Sequence, residues 1–164
     1  MRQLLIIALL LVICANSCDS KTPSNKKIDQ AQGIGSNIAP DFRLKDMSGQ
    51  EFKLSDLVGS KPLVLDFWAS WCPYCRAEIP KIVELHNNYK NKINIVGISL
   101  DQSYADAQNY TQKNFIPYPN LYDAHGLVAQ TYHISGIPSL IIINSEGEII
   151  KRNASLEDVK RLIK

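Results

Sequence analysis

The feature that most constrains this chain is a mostly apolar run that ends just before a Cys-Pro pair. The run covers residues 62–68 (PLVLDFW), and Asp66 is its only charged member. A near-continuous apolar run of this length is typical of a strand buried on both faces of a parallel sheet. After Cys72, apolar residues recur at helical spacing from Pro73 to about Tyr89. We therefore predict a strand–turn–helix unit, which is a building block of α/β folds.

The rest of the chain continues this alternation of strands and helices. Residues 93–100 (INIVGISL) predict a second buried strand, and alternating patterns predict hairpins at 41–54 and 139–151. Ser103 and Ser155 each stand three residues before an aspartate, as in a capping box that opens a helix. These signals predict a three-layer α/β fold with a mixed sheet. Besides the long helix, helices are predicted from 103 to about 115, over 124–132 and from 155 to the C-terminus.

Two local details are predicted as well. Ser55 follows the first hairpin and is expected to cap a short helical turn that ends at Gly59. Pro80 lacks the N–H that a helix interior uses, so it is expected to kink the long helix. Pro117 and Pro119 are expected to stop the helix that begins near residue 103.

Length, composition and charge limit the classes of function. The 164 residues suit one domain with at most an appendage, and hydrophobic and charged fractions of 45% and 21% are ordinary for a globular protein. A net charge of +2 without a basic block gives no support for a nucleic-acid partner. His86, His125 and His133 show no metal-ligand spacing. We expect no metal and no other cofactor.

Residues 1–17 are predicted to form a signal peptide. Arg2 supplies a positive charge, and residues 4–15 form a nearly continuous apolar run that is too short to cross a bilayer. Small and polar residues then lead to Cys18, in front of which cleavage is expected. A cysteine directly after the cleavage site resembles the lipobox of bacterial lipoproteins, which implies a lipid anchor on Cys18. Simple secretion is the alternative, and both interpretations place the mature protein outside the cytoplasm.

Residues 18–37 are predicted to be a flexible tether that precedes a folded domain over 38–164. The tether is polar, with isolated Ile28 and Ile34, and cannot bury enough surface to fold. Cleavage removes Cys14, and a lipid would occupy Cys18. The two remaining cysteines, which both lie in the folded domain, then have the only free sulfur atoms.

Those two cysteines, Cys72 and Cys75, are predicted to carry the chemistry of the chain. Pro73 suits the first helical position, so Cys72 is expected to be the N-cap residue. Its sulfur would face unpaired backbone N–H groups and the positive end of the helix dipole, both of which favour thiolate. Residues three apart on a helix have Cα atoms roughly 5–6 Å apart, which is within disulfide distance. We expect Cys72 to attack a substrate disulfide and Cys75 to resolve the mixed disulfide.

Three other interpretations of the pair stay open. A structural disulfide here would close a loop of only four residues, which is worth about 2 kcal/mol. A zinc half-site would need a second CxxC or a His pair at ligand spacing, which the sequence lacks. Two inert core thiols would not need an N-cap position. Redox chemistry is the interpretation that the motif favours.

The segments around the cysteines resemble the thioredoxin superfamily, and within it the TlpA/ResA group of membrane-tethered, extracytoplasmic thiol-disulfide oxidoreductases. The resemblance runs from about Ile38 to Ile163. It implies a thioredoxin-like three-layer α/β/α fold with an N-terminal β-hairpin extension. The segments that carry it are DFWASWCPYC at 66–75, GIPS at 136–139, APDF at 39–42, LSDL at 54–57 and CRAEIP at 75–80.

The dipeptide between the cysteines departs from that group. Most members have proline directly before the second cysteine, whereas here Pro73 follows the first cysteine and Tyr74 comes next. Pro-Tyr is the glutaredoxin dipeptide, and pairs of that type lie near roughly −200 to −230 mV, against roughly −270 mV for thioredoxin. The departure leaves the direction of electron flow open.

Two carboxyl groups are assigned roles beside the cysteines. A carboxyl inside an apolar strand is costly to bury, and burial tends to raise its pKa. The resemblance implies that Asp66 is the buried acid that takes the proton of Cys75; an aspartate satisfied by backbone or lysine partners is the alternative. It also implies that Glu78, one helical turn beyond Cys75, tunes the cysteines, with a solvated helix charge as the alternative.

The remaining site residues are expected to bind substrate. The resemblance implies that Pro138 is cis and lies beside the cysteines, so that the backbone of Ile137 can pair with an extended substrate chain. A trans, strand-initial proline is the alternative. Trp71 is expected to form an apolar rim, and Pro73 and Tyr74 to lie at the same surface.

Three functions are compared. The first, implied by the resemblance, is a tethered reductase of protein disulfides that receives electrons from a membrane thiol-disulfide protein, with apocytochrome c cysteines among the candidate targets. The second is a thiol peroxidase of the peroxiredoxin type, although Ala69 holds the position where those enzymes have threonine. The third is a copper-binding module of the Sco type, although such modules separate their cysteines by three residues and add a distant histidine.

Overall fold

A seven-stranded mixed sheet forms the centre of the computed structural model, which describes residues 37–164. The thioredoxin-like α/β fold is confirmed, with helices packed on both faces of the sheet. In chain order the elements are β1 (Arg43–Asp46), β2 (Glu51–Lys53), α1 (Leu54–Leu57), β3 (Leu63–Trp68), α2 (Pro73–Tyr89), β4 (Asn94–Ser99), α3 (Tyr104–Lys113), β5 (Asn120–Tyr122), α4 (Leu127–Thr131), β6 (Ser139–Ile143), β7 (Ile149–Ala154) and α5 (Leu156–Leu162).

The strand order in the sheet is β2-β1-β5-β4-β3-β6-β7. The strands β3, β4 and β5 run parallel to one another, whereas β6 is antiparallel to β3 and β7 is antiparallel to β6. The predicted N-terminal hairpin is present as β1 and β2, and β1 pairs antiparallel with β5. The hairpin is also tied to α3, because Tyr104 Oη and Gln108 Nε2 both donate to the carbonyl of Met47.

The central strand β3 divides the core into two parts. All six of its residues are buried. Leu63, Leu65 and Phe67 face the part of the core that contains α1 and α4, whereas Val64 and Trp68 face the clusters that contain α2. Because side chains alternate along a strand, the carboxyl group at position 66 belongs to the α2 face.

The structure differs from the predicted elements at three places. The sequence analysis missed β5, which has only three residues and directly follows two prolines, too short a run to show an alternating pattern. Ser55 is not a cap: α1 begins at Leu54, and the backbone N–H of Ser55 donates to the carboxylate of Asp41 at 3.3 Å. The helix predicted at 124–132 is shorter, since it begins only after Gly126, whose φ is +65°.

Several other predicted features of the elements are confirmed, although one strand is longer than predicted. The helix α2 covers Pro73–Tyr89 as predicted and continues through Pro80. Ser103 caps α3, and Ser155 forms a complete capping box with Asp158 at the start of α5. The strand β7 extends three residues further than predicted, to Ala154.

The predictions for the N-terminal segment lie outside the described residues. They comprise the signal peptide at 1–17, the lipid site at Cys18 and the tether up to residue 36. Within residues 37–164, no helix combines the length and the apolar character that crossing a bilayer requires.

The packing opposite Asp66 generates a prediction about stability. Gly97 pairs with Asp66 across β3 and β4, and a Cβ at position 97 would lie 2.9 Å from Trp68 Nε1 and crowd the side chain of Asn120. We expect Gly97→Ala to lower the free energy of unfolding by about 1–3 kcal/mol. Gly136→Ala is the control, since a Cβ there meets nothing within 4 Å. Equal midpoints for the two variants in urea unfolding would contradict this account.

Candidate active site

The cysteine pair lies where β3 passes into α2. Cys72 is the N-cap residue of α2, Pro73 occupies the first helical turn, and a disulfide links Cys72 to Cys75. The two Cα atoms are 5.3 Å apart, and Cys72 Sγ accepts the backbone N–H of Cys75 at 3.1 Å. This places the first sulfur at the positive end of the helix dipole, where a thiolate is stabilised once the disulfide is reduced.

The loop in front of the pair is held by a residue that the sequence analysis missed. Asp101 is buried and follows β4; its carboxylate accepts the backbone N–H of Ser70 at 3.0 and 3.1 Å and the Ser70 hydroxyl at 2.7 Å. Ser99 Oγ donates to the same carboxylate at 2.9 Å. A signal was available, because the carboxyl ends of the parallel strands β3 and β4 meet at one edge of the sheet. Asp101 therefore helps to fix the chain that leads into Cys72.

A distant loop completes the surroundings of Cys72. The peptide bond between Ile137 and Pro138 is cis, as the resemblance implied. The carbonyl oxygen of Ile137 lies 3.7 Å from Cys72 Sγ. The fold thus brings this backbone segment, 65 residues further along the chain, beside the sulfur.

The predicted rim residues are at the surface. Trp71 is 62% exposed and Tyr74 is 78% exposed, whereas Cys72 is only 3% exposed. Pro73 is exposed as well. The nearly buried sulfur is therefore flanked by an apolar and aromatic surface that is open to solvent.

Asp66 is buried on the α2 face of β3 and is 1% exposed. Among the described residues, neither of its carboxyl oxygens has a hydrogen-bond partner. Burial raises the pKa of Asp66 to about 8; the charge of Glu78 adds to this rise, and the hydroxyl of Tyr118 opposes it. The alternative of a carboxyl satisfied by backbone or lysine partners does not hold for residues 37–164.

Glu78 is half-buried on α2, one turn beyond Cys75. Burial raises the pKa of Glu78, and the positive charge of Lys81 opposes the rise. Because Glu78 and Asp66 carry the same charge, ionisation of one makes ionisation of the other less favourable. The negative charge of Glu78 therefore helps to keep Asp66 protonated.

Metal ligands do not gather at the pair or elsewhere in the part of the chain that the structure describes. Over 37–164 there is no group of three or more His, Cys, Asp and Glu side chains placed to hold an ion.

Comparison with known proteins agrees with this geometry. The model of the AhpC/TSA family matches residues 36–152. The thiol-disulfide oxidoreductase ResA of Oceanobacillus iheyensis is 36% identical over 131 residues, which are 77% of this chain and 68% of the relative. ResA of Bacillus subtilis is 32% identical over 114 residues, which are 69% of this chain but 63% of the relative.

Solved structures show the same fold. A thiol-disulfide oxidoreductase from Bacteroides fragilis has a TM-score of 0.66 and 28% identity, with 76% of this chain and 98% of that one covered. The exposed lipoprotein thioredoxin of Streptococcus pneumoniae has a TM-score of 0.67 and 27% identity, with the same coverage. Together with the helix-capping Cys72–Cys75 pair, these relationships show that the chain belongs to the AhpC/TSA family and is a ResA-like thiol-disulfide oxidoreductase of thioredoxin-like fold.

Proposed function

We propose that the chain reduces disulfides in substrate proteins outside the cytoplasm, with Cys72 as nucleophile and Cys75 as resolving cysteine. The observation that carries the proposal is the position of Cys72 Sγ at the N-terminus of α2, where it accepts the backbone N–H of Cys75 at 3.1 Å. A sulfur in this position is stabilised as a thiolate, and the thiolate is the form that attacks disulfides. The roles of the other site residues follow from the steps that this attack requires.

In the first step, the Cys72 thiolate attacks one sulfur of the substrate disulfide. A mixed disulfide forms, and the other substrate sulfur leaves as a thiolate. In the second step, Cys75 loses its proton and attacks Cys72 Sγ. The second substrate sulfur then leaves, and the Cys72–Cys75 disulfide remains. Two electrons have passed from the protein to the substrate.

Asp66 is proposed to be the base that takes the proton of Cys75. A general base works best when its pKa is near the operating pH, and burial raises the pKa of Asp66 to about 8. The side chain lies on the face of β3 that packs against α2, the helix that carries Cys75. Glu78 tunes this base, because its negative charge raises the pKa of Asp66.

Substrate is proposed to bind as an extended chain along the Ile137–Pro138 backbone. The carbonyl of Ile137 is next to Cys72 Sγ, so backbone pairing there would bring a substrate disulfide to the nucleophile. Trp71, Pro73 and Tyr74 provide the exposed apolar contacts around it. Backbone pairing makes few demands on substrate side chains, which suits a range of protein substrates.

The same proposal includes the tether, a lipid anchor at Cys18 and a membrane thiol-disulfide protein as electron donor. The lipobox-like residues before Cys18 support the anchor. The description of the pneumococcal relative as an exposed lipoprotein is consistent with it. An anchored reductase needs a source of electrons at the membrane, since each turnover leaves the cysteine pair oxidised.

Substitutions of the two cysteines are expected to block different steps of the reaction. Cys72→Ser should reduce the rate of insulin disulfide reduction to the uncatalysed background. Cys75→Ser should instead accumulate a mixed disulfide between Cys72 and substrate, which mass spectrometry under non-reducing conditions detects. An adduct on the Cys72→Ser variant would reverse the assigned roles. Rapid peroxide consumption by Cys75→Ser would favour the peroxidase alternative.

Replacement of Asp66 is expected to change the pH dependence of resolution. In the wild type, the rate at which the mixed disulfide resolves should rise with pH up to about 8, as Asp66 loses its proton. In Asp66→Asn the rate at pH 7 should fall by about 100-fold, as for loss of a general base. Stopped-flow release of substrate thiol measures this rate. The exposed Asp56→Asn is the control, and equal profiles for the two variants would rule out the role.

The same substitution is expected to change stability with a definite sign. Between pH 4 and 8 the folded protein keeps a proton on Asp66 that the unfolded chain has lost, so wild-type stability falls as pH rises. The stability of Asp66→Asn should not fall in this way, because asparagine does not titrate. Its free energy of unfolding, relative to wild type, should increase by on the order of 3–4 kcal/mol from pH 5 to pH 8. Urea unfolding of the oxidised proteins at both pH values measures it, and a constant difference would contradict a raised pKa.

A further inference from the structure

Four buried side-chain polar atoms in residues 37–164 have no hydrogen-bond partner. They are the two carboxyl oxygens of Asp66, the hydroxyl of Tyr118 and Nδ1 of His86. Buried polar groups are nearly always hydrogen-bonded, so each exception needs an explanation. These exceptions are neighbours. Asp66 pairs with Gly97 in the sheet, and the N–H of Gly97 donates to the carbonyl of Pro119, the residue that follows Tyr118. The rings of Tyr118 and His86 are 5.6 Å apart between centroids, and the hydroxyl of Tyr118 opposes the rise in the pKa of Asp66. They therefore form one cluster between β3 and α2.

The backbone of Tyr118 is fixed by buried hydrogen bonds to its neighbours. Asn120 Nδ2 donates to the carbonyl of Tyr118 at 2.9 Å, while Asn120 Oδ1 accepts from Trp68 Nε1 at 2.9 Å. The N–H of Gly97 donates to the carbonyl of Pro119 at 2.9 Å. Tyr118 is thus held against β3 and β4 at the level of Asp66, although its own hydroxyl has no partner.

We propose that Tyr118 is a positioning residue whose hydroxyl donates a hydrogen bond to the carboxylate of Asp66 when Asp66 has lost its proton. The proposal rests on the proposed role of Asp66 as the base for Cys75. A protonated Asp66 is neutral and can stay buried without this bond. An ionised Asp66 needs a donor, since a buried unpaired carboxylate is strongly disfavoured.

The chemistry of Tyr118 suits a donor rather than a second base. Burial raises the pKa of its hydroxyl far above the ordinary value, and the charge of Asp66 raises it further. The hydroxyl therefore keeps its proton throughout. When Cys75 gives its proton to Asp66, the proton moves from sulfur to carboxylate oxygen, and Tyr118 neither gains nor loses one.

The other groups that face this cluster do not supply the donor. Glu78, on α2, makes ionisation of Asp66 less favourable, and Lys81 acts on Glu78. Tyr110, on α3, packs against the ring of Trp68 and adds to the rise in the pKa of the Tyr118 hydroxyl; burial raises the pKa of Tyr110 itself, and the charge of Arg76 opposes this.

His86 contacts the ring of Tyr118, and its pKa is lowered by burial and by Lys90. It is therefore neutral at pH 7 and supplies no positive charge to the cluster. Among the titratable groups of residues 37–164 that act on Asp66, Glu78 opposes the anion and Tyr118 favours it.

The direct test is the titration of Asp66 in Tyr118→Phe, followed by carbon NMR of the side-chain carboxyl in the oxidised protein. Loss of a hydrogen bond to the charged form should raise the pKa of Asp66 by about one unit or more. The pH at which mixed-disulfide resolution is half-maximal should rise by the same amount. Resolution at pH 7 should then slow by about tenfold.

Tyr132→Phe is the matched control. Tyr132 is also buried, and its hydroxyl donates to the carbonyl of Pro40 at 2.7 Å in the part of the core on the other side of β3. It should lose stability without any shift in the Asp66 titration. In an Asp66→Asn background, Tyr118→Phe should leave the pH profile of resolution unchanged.

The outcomes separate this inference from the proposed function. An Asp66 titration that is the same in wild type and Tyr118→Phe would overturn it, and so would slower resolution without a shift in the titration. A shifted titration would support the hydrogen bond even if Asp66→Asn resolved mixed disulfides at the normal rate. That last result would reject only the role of Asp66 as base.

Discussion

The chemistry of this protein depends on one backbone hydrogen bond, from the N–H of Cys75 to the sulfur of Cys72. A helix leaves its first N–H groups without partners, and here a sulfur takes the place of the usual oxygen cap. The bond does two things at once. It begins α2, and it stabilises negative charge on the sulfur of Cys72. Structure and reactivity at this residue cannot be separated, because the atom that caps the helix is also the one that we propose as nucleophile.

The strand β3 positions both the cysteine loop and the buried carboxyl group of Asp66. Its last residues lead into the cysteine loop, and Asp66 stands in its middle on the side that faces α2. The sheet thus sets the position of this carboxyl group, our proposed base, relative to the helix without a dedicated loop. The cost is a carboxyl group in an apolar layer, and the raised pKa of Asp66 reflects that cost. Tyr118, held by Asn120, is the group that we infer to lessen it.

The sequence predicts those parts of the site that short-range rules govern. Cys72 and Pro73 predict the start of α2, and the apolar run before them predicts β3, because helix capping and strand burial leave local sequence patterns. Tyr118 and β5 left no such pattern, since a three-residue strand after two prolines shows no periodicity. Asp101 could have been found from its place after a buried strand. The pairing of Ile137 with Cys72 joins residues 65 apart and came only from family resemblance.

The hairpin of β1 and β2 has a consequence for how the molecule behaves toward copies of itself. Only three residues long, β5 has β4 on one side and β1 on the other. Without the hairpin, the parallel core would end in an unsatisfied row of amides and carbonyls, a template on which another chain could add a strand. The hairpin covers this edge of the parallel core and leaves β2 as the edge strand there. The strand β2 has only three residues, and its Glu51 forms a salt bridge with Arg43 of β1; a short, charged edge disfavours the addition of a strand from another chain.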